Sequence, residues 1–261
     1  MNTAHFLLSA WTWNPAAIGC CAAAVAVYLA AFGPNRRAWY LAGAVGFILI
    51  ALVSPLNALA DGYLFSAHML QHILLLLIAP ALILLSLPPA VVLPRFLRAA
   101  AYPPFGWAAG VGAMWFWHAP ALCDAAASSH PVHAAQTVSL LVLGSAFWWQ
   151  TLAPREEDRL QPLHAILYLF TACTACSVMG IILTFSPVTV CAAYMHPVDR
   201  LGLGNAVRDL VPMEKDQQIG GLLMWVPMCL LYLGAIFGQL ARWYGEPRLR
   251  PVPIPSTTEK I

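Results

Sequence analysis

The sequence has 261 residues, of which 61% are hydrophobic and only 9% are charged. Soluble globular domains contain about 45–50% apolar and about 25% charged residues. A soluble core cannot hide so much apolar surface, so lipid must solvate most of this chain. The net charge is only +2 and no basic stripe is present, which argues against a nucleic-acid partner. Five of the seven cysteines (Cys20, Cys21, Cys173, Cys176, Cys229) lie in apolar runs, which argues against a disulfide framework.

Seven apolar runs of about 20 residues predict seven transmembrane helices. They cover residues 15–32, 38–55, 63–87, 104–122, 131–150, 162–185 and 218–241. Backbone polar groups in lipid must be satisfied within the segment, which makes helices the natural structure for these runs. We therefore predict an all-α, polytopic membrane domain over residues 1–245, followed by a flexible tail over residues 246–261.

The distribution of basic residues predicts the orientation of the chain in the membrane. Ten of the 13 lysines and arginines lie in the 1–2, 3–4 and 5–6 connections and the tail, whereas three lie in the 6–7 connection. Because basic residues are retained on the cytoplasmic side, the N-terminus is expected outside and the C-terminus in the cytoplasm. The long 6–7 connection, about residues 187–215, then lies outside.

The third helix carries a polar stripe near its predicted outer end. His68 and His72 are spaced i, i+4 and therefore project from one helix face, and Asp61 precedes His68 by seven residues. Such a stripe is costly against lipid, so we expect it to face the interior of the bundle. The spacing suits two imidazoles that bind one metal ion. Two histidines bonded to carbonyl groups across a helix interface are the structural alternative.

Other polar residues lie at the same predicted depth. His118 ends the fourth helix. Pro131 suits the first position of the fifth helix, which we expect His130 to cap, and His133 lies in its first turn. Asp216 precedes the seventh helix, which we expect it to cap. Met224 lies further along the seventh helix. Imidazole and thioether together suit copper, and thioethers favour Cu(I), although methionine is also an ordinary packing residue.

Cys173 and Cys176 form a Cys-x-x-Cys pair in the middle of the sixth helix. Helical spacing places both sulfurs on one face, which permits a metal or redox role. Thiols buried in apolar helices are usually inert, and inert packing is the alternative interpretation.

Five blocks of sequence, in order along the chain from about residue 10 to residue 242, resemble the CtaG-type cytochrome c oxidase assembly factors. They are Ser66-Ala67-His68-Met69-Leu70-Gln71-His72, Ile78-Ala79-Pro80, Trp117-His118-Ala119-Pro120-Ala121-Leu122, Phe147-Trp148-Trp149 and Asp216-Gln217-Gln218-Ile219-Gly220-Gly221-Leu222-Leu223-Met224-Trp225. The resemblance implies a multi-pass protein of the bacterial inner membrane that is needed for an active caa-type oxidase, through copper supply. The sequence departs from the family pattern at Thr137, where the family has a histidine, and at Cys123, which is a further soft ligand candidate.

We therefore predict a non-enzymatic assembly factor that binds copper at His68, His72, His118 and His133. Asp61 and Asp124 are expected to orient the imidazoles, and Met224, Cys123 and Asp216 are further candidates. The expected partners are a cytochrome c oxidase subunit, a protein that donates or accepts copper, and the lipid bilayer. The alternatives are a metal-free chaperone for an oxidase subunit, a zinc-dependent membrane hydrolase, and a heme protein with two axial histidines.

Reporter fusions test the predicted orientation. A reporter after Lys260 is expected to be active only in its cytoplasmic form, and one near residue 205 only in its external form, because basic connections stay inside. Enzymatic assay of both reporters at both positions makes the measurement. The reverse pattern at both positions would overturn the orientation and, with it, a site that opens outward.

Overall fold

A computed structural model describes residues 10–94, 102–195, 199, 202, 207–209 and 211–245. Helices form the regular structure of this part of the chain, and no strand occurs in it. The predicted tail over residues 246–261 lies outside the described residues, as does part of the 6–7 connection. The α-helices are α1 (Pro15–Phe32), α2 (Ala38–Leu52), α3 (Pro55–Ala60), α4 (Phe65–Ile73), α5 (Ala79–Ser86), α6 (Pro103–Trp117), α7 (Pro120–Ser128), α8 (His130–Leu152), α9 (Pro162–Phe185) and α10 (Met213–Gly245).

Each of the seven predicted apolar runs coincides with helix. Within the described residues, four helical stretches are long and apolar enough to cross a membrane: Pro15–Phe32, Phe65–Ser86, Pro162–Phe185 and Lys215–Gly245. Ala38–Leu52 is apolar but shorter. The all-α fold with several helices long and apolar enough to cross a membrane is therefore confirmed, whereas the crossing by all seven runs and the orientation of the chain stay predictions.

Prolines place several boundaries away from the predicted ones. The fourth run was predicted to continue to residue 122, but α6 ends at Trp117 and a separate short helix, α7, begins at Pro120. The residue before a proline is pushed out of the helical region, and Ala119 has an extended backbone. The second run likewise ends at Leu52, before Pro55 starts α3. Ser129, not His130, precedes the first residue of α8, so the prediction that His130 caps this helix is wrong.

The third apolar run corresponds to the helical stretch Phe65–Ser86, which we call the third span. A π-helical turn over Leu74–Ile78 interrupts it between α4 and α5. Pro80 follows this turn and has no N–H group to donate to the carbonyl of Leu76, four residues earlier. Gly144 of α8 approaches the same carbonyl so closely that a Cβ atom there would overlap its oxygen. Small residues allow such close helix contacts in membranes, and here one fixes α8 against the third span.

The remaining helices surround the third span and α8. α9 and α10 pack together most extensively, and the N-terminal half of α10 also packs against α4. Helix α6 contacts both α8 and α9. The third span thus lies between α8 and α10, and His118, at the C-terminal end of α6, lies close to its histidines.

A disulfide between Cys123 and Cys191 joins α7 to the connection between α9 and α10, which is the predicted 6–7 connection. The apolar positions of five other cysteines argued against a disulfide framework, and this bridge corrects that expectation for the two cysteines outside the runs. The bridge fixes a 3₁₀ turn, Ala192–Tyr194, above the third span.

The contact between Gly144 and Leu76 predicts the effect of an added methyl group. Gly144→Ala is expected to destabilise the protein by about 1–3 kcal/mol, because a backbone carbonyl cannot move aside as a side chain would. Thermal unfolding in detergent measures the change. Gly112→Ala in α6 is the matched control, since a Cβ atom there meets nothing within 4 Å. Equal losses of stability in the two variants would contradict the close approach.

Candidate functional site

Four imidazoles converge where α4, the C-terminal end of α6 and the beginning of α8 meet. The ring centres of His68 and His72 are 4.4 Å apart, and His133 lies 6.0 Å from His68. The ring of His118 lies 5.0 Å from that of His72. The exposed fraction of the residue is only 2% for His68, 3% for His72 and 6% for His118. The four histidines predicted from the sequence therefore lie together, three of them buried and His133 half-buried, and we call them the histidine cluster.

No hydrogen bond of normal geometry reaches the ring nitrogens of His68 and His72 within the described residues. The side-chain amides of Gln71 and Gln136 lie beside the two rings, but Nε2 of Gln136 and Oε1 of Gln71 are also without a well-placed partner. Buried polar atoms are normally hydrogen-bonded, and an unsatisfied one costs about 1–3 kcal/mol. Carbonyl partners across a helix interface, the structural alternative for His68 and His72, are not found in this part of the chain. The nitrogens are thus available to an ion or a polar ligand.

The donor set of the histidine cluster fits a borderline or soft transition metal. Neutral imidazoles suit copper and zinc, whereas calcium and magnesium prefer oxygen ligands. Among the described residues, no three His, Cys, Asp or Glu side chains already have the arrangement of a metal site. The imidazoles would therefore have to rotate toward a common centre to hold one ion.

His118 has a different environment from the other three histidines. It follows the last residue of α6, and its Nδ1 lies 2.6 Å from the backbone oxygen of Met114. Its Nε2 lies 3.1 Å from the sulfur of Met69, which is completely buried. Met69 thus contacts the histidine cluster, although it was not among the residues predicted from the sequence. Its position between His68 and His72 was the available signal.

Asp216 positions the helix that carries His68 and His72. Its Oδ2 accepts a hydrogen bond from the N–H of Phe65 at 2.7 Å, and its Oδ1 accepts one from the N–H of Ser66 at 3.0 Å. These N–H groups begin α4 and have no partner within the helix. Asp216 was expected to cap its own helix, α10, and instead caps α4.

Tyr194 packs against His68, with ring centres 5.9 Å apart. Burial, and then the carboxylates of Asp61 and Asp216, raise the pKa of Tyr194 well above its usual value. The phenol therefore keeps its proton and donates it to the backbone oxygen of Ala60 at 2.7 Å. Tyr194 is a second site residue that the sequence did not predict, because a residue in a distant loop gives no periodic signal.

The two aspartates expected beside the imidazoles have different roles. Asp61 lies within electrostatic range of His133 and of Tyr194, as expected for a carboxylate next to the histidine cluster. Oδ1 of Asp124 instead accepts a hydrogen bond from the N–H of Ala193 at 2.8 Å. Through that oxygen, Asp124 holds the turn that carries Tyr194 and does not orient an imidazole.

A cavity of about 470 Å³ lies beside Tyr194. Phe65, Tyr194, Met195, Asp216 and Gln217 are among the residues that line it. Tyr194 thus borders this cavity and also contacts His68 of the histidine cluster.

The other candidates are placed less favourably. Cys123 is bonded to Cys191 and therefore has no thiolate to offer as a ligand. Met224 is completely buried in α10, where its contacts are those of core packing. At the site of the missing family histidine, Thr137 is half-buried, whereas Gln136 is buried beside His72.

The Cys-x-x-Cys pair contacts α10 and not the histidine cluster. Cys173 donates to the sulfur of Cys229 at 3.4 Å, and Cys176 lies 3.8 Å from the hydroxyl of Tyr232. Both cysteines of the pair are free thiols in the structure. Each thus has its own partner across the α9–α10 interface, and the pair does not act as one chelating unit.

Comparisons with known proteins give one match. A family model described as cytochrome c oxidase caa3 assembly factor matches residues 21–246. This range contains all seven apolar runs except the first residues of α1. No curated protein and no solved structure matches the chain.

The two hydrogen bonds from α4 to Asp216 predict the effect of removing its charge. Asp216→Asn is expected to destabilise the protein by about 1–3 kcal/mol, because an amide retains only one oxygen for the two N–H groups. Thermal unfolding in detergent measures the loss. Asp209→Asn, at an exposed position, is the control. Unfolding of Asp216→Asn at the temperature of the parent protein would contradict the capping role.

Proposed function

The chain belongs to the cytochrome c oxidase caa3 assembly factor family, and on that premise we propose that it binds copper at the histidine cluster and supplies it during oxidase assembly. Its direct partners are then an oxidase subunit and a protein that donates or accepts copper. In this proposal copper is cargo, and the chain catalyses no reaction. The bacterial inner membrane is the proposed location.

The observation that carries the proposal is the set of buried ring nitrogens without partners on His68 and His72. The two ring centres are 4.4 Å apart. Burial of these nitrogens has a free-energy cost that apolar side chains of the same size would avoid, because they leave no polar atom unsatisfied. Copper binding would satisfy these nitrogens. His118 and His133 lie close enough to complete a set of nitrogen donors.

Two independent features support a site that opens to the outside. The basic residues favour an external 6–7 connection. The Cys123–Cys191 disulfide lies at the same end of the molecule, and disulfides persist in oxidising compartments. Copper centres of heme–copper oxidases are assembled in the outer half of the membrane, which is the half that this orientation gives to the histidine cluster.

The metal-free chaperone is the second candidate function. The observation in its favour is that no three metal-ligating side chains of the described residues are already arranged around one point. In that function the histidine cluster would only shape the surface that holds an oxidase subunit. Metal analysis of the protein purified from membranes separates the two functions.

Substitution of the paired histidines tests the copper proposal. The double variant His68→Ala, His72→Ala is expected to lose bound copper while the protein still accumulates in the membrane, because unsatisfied nitrogens contribute nothing to folding. Copper per molecule and protein abundance are measured together. His164→Ala is the matched control, since His164 is exposed at the opposite end of the bundle.

Two results would contradict the proposal. Parent protein purified without copper, and unable to take up Cu(I) or Cu(II), would leave the metal-free chaperone as the function. A double variant with unchanged copper per molecule but reduced abundance would return both histidines to a structural role.

A further inference from the structure

The contact between His118 and Met69 is determined by the position of one proton. The backbone oxygen of Met114 is only an acceptor, so the 2.6 Å contact requires a hydrogen on Nδ1 of His118. In a neutral imidazole Nε2 then carries a lone pair and no hydrogen. If both ring nitrogens of His118 were protonated, the ring would carry a positive charge in a side chain that is only 6% exposed. Burial of such a charge has a large free-energy cost.

The neighbour of Nε2 has no hydrogen to offer either. The thioether sulfur of Met69 lies 3.1 Å away and is only a weak acceptor. Two lone-pair donors therefore point toward each other in a buried place, where a hydrogen bond between them is impossible. A cation that accepts both lone pairs satisfies this arrangement.

The separation is compatible with one ion. Metal bonds of about 2.0 Å to nitrogen and about 2.3 Å to sulfur allow the two ligand atoms to be at most about 4.3 Å apart. The observed 3.1 Å lies inside this limit, so an ion beside the line between the two atoms can bind both once the side chains turn toward it. The ring of His72 is 5.0 Å from that of His118, so a nitrogen donor from the third span is nearby.

The surrounding helices hold the Met69 side chain in this position. Met69 has no exposed surface, although methionine is otherwise a flexible side chain. Gly220 of α10 makes room for it, because a Cβ atom there would lie 3.1 Å from Cγ of Met69 and 2.6 Å from the ring of Phe65. The sulfur is thus directed toward His118 by packing.

We propose that Met69 is the thioether ligand of the histidine cluster and that it makes the site select Cu(I) over Zn(II). Thioethers favour soft monovalent copper, whereas imidazoles alone bind zinc and copper alike. This inference rests on the proposed function and names the ligand that determines its specificity. It replaces Met224 as the candidate soft ligand.

The test compares the parent protein with Met69→Leu, a substitution that conserves volume and normally costs less than about 1.5 kcal/mol. Met69→Leu is expected to weaken Cu(I) binding by at least about tenfold, the low end of losses seen on changes around a metal site. Zn(II) affinity is expected to stay within about threefold, which also shows that the variant is folded. Met228→Leu, at a buried position in α10, is the matched control.

X-ray absorption at the copper edge identifies the ligand directly. With one equivalent of Cu(I), the parent protein and Met228→Leu should show a sulfur neighbour at about 2.3 Å, which Met69→Leu lacks. Copper binding by the parent together with unchanged Cu(I) affinity and sulfur signal in Met69→Leu would overturn this inference alone. Loss of the sulfur signal in Met224→Leu instead would also overturn it. A parent protein that binds no copper would overturn the proposed function as well.

Discussion

The carboxylate of Asp216 is the interaction on which the histidine cluster depends. It accepts the first two N–H groups of α4, and it does so from α10, a helix 150 residues later in the chain. The first N–H groups of a helix have no partner inside that helix, and at a buried end they must find one elsewhere. By supplying both acceptors, Asp216 fixes where α4 begins and therefore the depth and direction of His68 and His72.

The close packing of the third span completes this positioning. Gly144 lets α8 approach the carbonyl of Leu76, and Gly220 lets α10 approach Phe65 and Met69. A side chain at either glycine would separate helices whose contacts bring His133 and Met69 to the same place. The Cys123–Cys191 bridge and the hydrogen bond from Ala193 to Asp124 hold Tyr194 above them. The site thus depends on contacts between segments distant in sequence.

A buried cluster of this kind stabilises the fold poorly. Unsatisfied nitrogens on His68 and His72, and two facing lone pairs at His118 and Met69, each have a cost in a water-excluded interior. Rigid helices hold these groups in place despite that cost. In the proposed function, this cost is the physical reason for which binding, and not folding, would explain the arrangement.

Much of the fold and part of the site follow from local features of the sequence. Apolar run length predicted the helical segments because lipid leaves the backbone few alternatives, and i, i+4 spacing placed His68 and His72 on one face. The family could be recognised from five short blocks. Proline breaks were underestimated, because Pro120 interrupts a run that remains apolar on both sides.

The sequence by itself therefore determined the apolar helices, the family and the four histidines that lie together. Only the tertiary structure decided that Asp216 caps α4, that Cys123 is bonded to Cys191, and that Met69, not Met224, contacts His118. The reason is the range of the interactions. Helix formation and amphipathic spacing are set within a few residues, whereas each of these partners is 49 to 151 positions away in the chain. Which distant groups meet depends on how the helices pack.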